Sequence, residues 1–88
     1  MIVRIMAEGQ YEVDAAALDE VRHADEALLH AVETGDQAGY AEHLDHLLRV
    51  VRQGRRLAPD SLQPSDLVVP GPDMSVDEAR RLMEQHQL

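Results

Sequence analysis

Two amphipathic stretches meet at Gly35-Asp36, and that junction constrains the fold more than any other feature of the chain. Ahead of it, Ala17, Val21, Ala24, Leu28 and Ala31 recur at alternating four- and three-residue steps, with Leu18 and Val32 widening the stripe. Beyond it, Tyr40, Leu44, Leu47 and Val51 repeat the pattern, flanked by Ala41 and Leu48. Asp14 suits the N-cap of the first helix, Gly35 its C′ position and Asp36 the N-cap of the second. The spacing predicts helices over about 15–34 and 37–53, with Gly54 as the second stop. So short a link requires the two to run antiparallel as a helical hairpin.

That hairpin needs help. Its facing residues include Ala17, Ala24, Ala31 and Ala41, which permit close approach but bury little area at roughly 25 cal/mol per Å². The chain has 88 residues, no Trp and no Phe, so a single domain over 1–88 has a thin aliphatic core. The start of the chain offers the missing surface. Residues 2–6 and 11–13 read as two strands around a turn at Glu8-Gly9-Gln10. All four prolines fall between Pro59 and Pro72 and mark a connector over 54–74. Within it, "SDLVVP" allows a third short strand at 66–69, ended by Pro70. "SVDE" then opens a helix over 76–86, with Ser75 and Glu78 as a capping box and Val76, Ala79, Leu82 and Met83 on one face. The expected class is α+β: an N-terminal β-hairpin packed on an antiparallel helical hairpin, plus a short C-terminal helix.

A two-stranded hairpin is marginal in water and must lean on its own helices or on another chain. Ile2, Arg4 and Met6 alternate with Val3 and Ile5, so both strand faces carry apolar residues. The pattern predicts that the strands cover the helices and that Ile2, Val3, Ile5, Tyr11 and Val13 also contribute to self-association, as a homodimer paired along an open edge. The alternative is a strand pair used wholly inside the monomer.

A formal net charge of -9 disfavours generic polyanions, nucleic acid and anionic lipid included. From Glu8 to Asp45 the only base is Arg22, whereas Arg49, Arg52, Arg55 and Arg56 follow with no acid between them. These four are the candidate partner-binding residues, although cations near a helix C-terminus also answer its dipole. A small regulatory nucleic-acid binder using the Arg49–Arg56 patch is the alternative, weakened by the lack of aromatic platforms. His43 and His46 stand three apart, a spacing that can grip a metal, but no third ligand is obviously placed. His23 and His30 lie opposite the apolar stripe and read as solvated. With no cysteine, no glycine-rich phosphate loop and no Ser-His-Asp arrangement, the sequence predicts no catalytic residue, no metal and no cofactor. No apolar run reaches the roughly 20 residues of a membrane span, and Arg4 interrupts the N-terminal apolar stretch, so no signal peptide is expected. A cytoplasmic location follows as the expectation.

"MIVRIMAEGQYEV", then "LDEVRHADEALLHAVETGD", then "PSDLVVPGPDMSVDEARRLM" together resemble the PspA-associated family, PspAA. The most specific parts are the opening strand pair and the "PSDLVVP" segment leading into a capped helix, and neither is a catalytic motif. The resemblance implies a non-enzymatic adaptor of the envelope-stress response, acting beside phage shock protein A, a coiled-coil protein that coats the cytoplasmic membrane. It implies a PspA-like coiled-coil partner, with membrane contact at most indirect. It transfers no binding residues to this chain.

Overall fold

A computed structural model describes residues 1–86. Strand β1 (Ile2–Ile5) turns back into β2 (Gly9–Glu12), and a 3-10 turn at Ala15–Ala17 leads into α1 (Leu18–Thr34). Helix α2 (Gln37–Arg52), β3 (Arg55–Arg56), β4 (Leu67–Val69) and α3 (Val76–His86) complete the α+β fold. Gly35 ends α1 in the left-handed region at φ 70°, where its amide reaches the carbonyls of Ala31 and Val32. The Asp36 carboxylate accepts from the Gly39 amide and opens α2 at once, which fixes the antiparallel pairing.

The sheet has the order β3-β2-β1-β4. β1 pairs antiparallel with β2, placing Val3 opposite Tyr11, and parallel with β4, placing Val3 beside Leu67 and Ile5 beside Val69. Val3, Ile5, Tyr11 and Val69 therefore share one face, and they join Val21, Leu28, Leu47 and Val51 in a single core. Helix α1 packs against both α2 and α3, and α3 in turn rests on β4. The other sheet face is crossed by the connector. Gln10, only 5 % exposed, donates its side-chain amide to the Gln63 carbonyl and the Ser65 hydroxyl, while Ile2 and Asp66 exchange two hydrogen bonds of 2.7 Å.

The structure corrects the expectation of an open hairpin edge. Neither long edge of the hairpin is open, because β3 takes the β2 side and β4 the β1 side. Ile2, Val3, Ile5, Tyr11 and Val13 are each at most 8 % exposed within the monomer, so they have no surface to offer a second copy. The apolar residues on both strand faces are covered by the chain itself: helices on one side, connector on the other. Gly54, expected as a helix stop, follows the Gln53 C-cap of α2 and gives its amide to the Val51 carbonyl at 3.0 Å, and it has a second role, because a Cβ at position 54 would collide with the carbonyl of Glu12. Its missing side chain is what lets β3 approach β2.

Candidate functional site

The four arginines at the end of α2 are not a free positive patch. Because β3 pairs with β2, the chain brings acids of the hairpin back to them. Arg52 donates to both carboxylate oxygens of Glu8 at 2.5 and 2.9 Å, a bidentate pair. Arg55 donates twice to one oxygen of Glu12 at 2.6 and 3.2 Å, and Arg49 meets Asp45 one helical turn earlier at 3.1 Å. Arg56 donates to the Glu8 carbonyl and lies 5.9 Å from the Tyr11 ring centroid.

Glu8 is the hub of this end. Besides Arg52 it accepts from the Tyr11 hydroxyl at 2.7 Å, and its side chain is only 22 % exposed. The hydrogen bonds from Arg52 and then Tyr11 bring its carboxyl down to about 2, and the same contact raises the Tyr11 phenol. Arg55 likewise lowers Glu12. The turn carrying Glu8 places Ala7 at φ 67°, a conformation that costs a non-glycine residue about 1–2 kcal/mol. The arginine contacts hold that turn in place.

Alongside lies a groove of about 500 Å³. Tyr40, Leu44 and Leu48 belong to the same buried core as Leu47 and Val51, at 5, 5 and 2 % exposure, and close the bottom of this groove on the helix flank. Ala41, Asp45 and Arg52 line the near side, and Pro72, Met74, Ser75 and Val76 form the far wall. The Tyr40 hydroxyl donates to the Met74 carbonyl at 3.0 Å and ties wall to floor, and burial raises its phenol. Gln37 and Arg52 mark the ends, so at 1.5 Å per residue the groove follows α2 for about 22 Å, some four turns. A shallower cleft continues past Gln37 and Val76 to Asp77 and Arg80. The lining brings together no nucleophile and base of the kind that acyl or phosphoryl transfer requires.

The histidines stand elsewhere. His46 lies 3.3 Å from Glu20 across the helical hairpin, and His23 and His30 are exposed on α1. His43 is half-buried beside Leu44. Among the described residues no three His, Asp or Glu side chains stand close enough to share an ion. Asp25 on α1 is half-buried, and among the described residues one of its carboxylate oxygens has no partner. Burial, then the charge of Glu26, pushes its carboxyl up.

Sequence reasoning singled out Arg49, Arg52, Arg55 and Arg56 but not the groove that Arg52 lines. The available signal was the width of the α2 stripe, where Ala41 and Leu48 flank residues that already suffice to pack against α1. The far wall comes from the proline-rich connector, whose position only the fold determines. A family model described as PspAA, PspA-associated protein, matches residues 1–88. No curated protein and no solved structure matches the chain.

Proposed function

The chain belongs to the PspA-associated protein family, and on that premise we propose that it is a non-enzymatic adaptor that binds a PspA-like coiled-coil protein in an envelope-stress response. The match over residues 1–88 carries this reading, since the family's description names association with PspA. Arg49, Arg52, Arg55 and Arg56 are the candidate partner-facing residues, and they also brace the opening hairpin through Glu8 and Glu12. No helix among the described residues is long and apolar enough to cross a membrane, so the adaptor would meet the inner membrane face through its partner. The net charge of -9 and the lack of aromatic platforms weigh against the nucleic-acid alternative that would use Arg49–Arg56.

Purification of the tagged protein from its native host, after gentle lysis with and without membrane stress, tests the proposal. A PspA-like coiled-coil protein should co-purify in a reproducible ratio. Recovery of the chain alone under both conditions would count against the adaptor role.

A further inference from the structure

Among the described residues Leu62 is the one large apolar side chain left exposed, at 97 %. Resting on the adaptor reading, we propose that Leu62, held out from the connector, is the anchor that enters an apolar recess between helices of the coiled-coil protein, a recess rimmed by basic residues that meet Asp60.

The connector presents this side chain on a fixed backbone. Gln10, buried on the sheet, donates its side-chain amide to the carbonyl of Gln63, the residue next to Leu62, at 2.7 Å and to the Ser65 hydroxyl at 2.9 Å. On the other side of Leu62, the Ser61 amide donates to the Ala58 carbonyl at 3.0 Å, and the Ser61 hydroxyl accepts from the Gln63 amide at 3.3 Å. The segment is pinned to the sheet at both ends, by the Leu57 amide donating to the Gln10 carbonyl at 2.9 Å and by the exchange between Ile2 and Asp66. Pro59 and Pro64 restrict the backbone between these points. A lone exposed leucine is ordinary on a protein surface, whereas a buried glutamine committed to the backbone beside it is informative. A side chain on a segment already ordered before contact gives up little conformational freedom on binding, so most of its burial appears as affinity.

Charge and shape select the occupant. Asp60 is exposed two residues before Leu62 and the chain as a whole carries -9, so the surface that receives the leucine is apolar within and basic at its rim. An anionic bilayer is repelled by that charge and offers no recess. A second copy is repelled likewise, and among the described residues it exposes no large apolar side chain except its own Leu62, far less surface than a stable dimer buries. Packed helices of a coiled-coil protein do offer a recess of the right size, because side chains from successive turns surround holes that each accept one aliphatic knob.

The test uses the full chain and the purified PspA-like coiled-coil protein of the same organism, with dissociation constants from titration calorimetry. Leu62→Ser should weaken binding about 30-fold. Its melting temperature should match wild type, because the side chain lies outside the core. Leu62→Gln should do the same and stands in if Leu62→Ser melts early. Leu62→Met keeps the apolar bulk and should bind within about threefold of wild type. Asp60→Lys should weaken binding about threefold at low salt, and the loss should shrink as salt is added. Glu26→Gln, on the outer face of α1, should leave affinity within about twofold. If the wild-type chain binds and the polar Leu62 variants bind equally well, the anchor is overturned and the adaptor reading stands. Leu62 variants that fail while Asp60→Lys binds like wild type overturn the basic rim. If Leu62→Ser keeps its affinity for the coiled-coil protein but loses flotation with phosphatidylglycerol vesicles, or loses a dimer seen by sedimentation, the leucine serves a lipid surface or a second copy and the proposal is overturned. A wild-type chain that does not bind overturns the adaptor reading and the anchor together.

Discussion

The end of α2 and the outer face of α1 carry the two densest charge runs in the chain, and the fold treats them oppositely. On α1, Asp19, Glu20, Glu26 and Glu33 are all exposed, and among the described residues only Glu20 finds a basic partner from another element, His46. At the end of α2, Arg52 and Arg55 are held by Glu8 and Glu12 from the opening hairpin, more than forty residues earlier. A run of like charge along the sequence therefore says little about the local field. What decides it is whether the topology returns an opposite charge to the same place. The β3–β2 pairing does so for Arg52 and Arg55, whereas among the described residues the α1 acids receive only His46, at Glu20.

The comparison is broken most directly at Gly54. Gly54→Val puts a branched side chain against the Glu12 carbonyl and pushes β3 off β2, separating Arg55 and Arg56 from Glu12 and Glu8. A loss of about 2–3 kcal/mol in urea unfolding is expected. A variant as stable as wild type would mean that the strand contact does not hold the arginines.

Glu8→Gln is the next largest. The folded-state carboxyl lies at about 2 against an ordinary 4.5, so the unfolded chain binds more protons between those values. The resulting stability is present above about pH 4.5 and is lost as pH falls toward 2. Arg52 is 41 % exposed, and solvent screening reduces the contribution to about 1 kcal/mol. Wild type should exceed Glu8→Gln by that margin at pH 7, and the two should converge near pH 2. A gap that persists into acid would point to packing at the turn in place of the ion pair.

The sequence disclosed the helical hairpin almost completely, because Gly35 and Asp36 act within a few residues of themselves and a 3.6-residue stripe is a local property. The third strand and the capped last helix were legible for the same reason, through Val68-Val69-Pro70 and through Ser75 with Glu78. The pairing partners were not. Arg55 and Arg56 have no strand signature and become β3 only because Gly54 allows them beside Tyr11 and Glu12. The proposed self-association set meets the same limit: apolar residues on both faces of β1 announce that both faces are covered, and they do not say that the same chain covers them, as it does here. Half of the candidate site shares that limit. Tyr40, Leu44 and Leu48 were visible as a stripe, but Met74 and Val76 meet them only through the path of the connector.

On α1, Asp25 gives the opposite pH dependence from Glu8. Its carboxyl is raised by burial, so the folded chain takes up its proton more readily than the unfolded one. Ionised Asp25 therefore weakens the fold at neutral pH, and the penalty fades as pH falls. Asp25→Asn should gain about 0.5–1 kcal/mol at pH 7, with the gain shrinking in acid. A stability loss at pH 7 would show that the carboxylate has a favourable partner in solution.

The smallest effect lies at Glu33, in the last turn of α1, which carries no basic residue. A negative charge there opposes the helix dipole and adds to the unanswered acids of the face, whereas the last turn of α2 holds Arg49 and Arg52. Glu33→Lys should therefore stabilise the protein by about 0.3–0.5 kcal/mol at low ionic strength, and added salt should erase the gain within the Debye length's shortening. The reciprocal change, Arg49→Glu, removes a favourable charge from the end of α2 and breaks its contact with Asp45, so it should lose a similar amount under the same conditions. Opposite signs from these two charge reversals, both vanishing in high salt, are what unanswered acids on one helix and answered bases on the other require. Equal signs would mean that neither the helix dipoles nor the net charge of -9 governs these two positions, since both call for opposite signs.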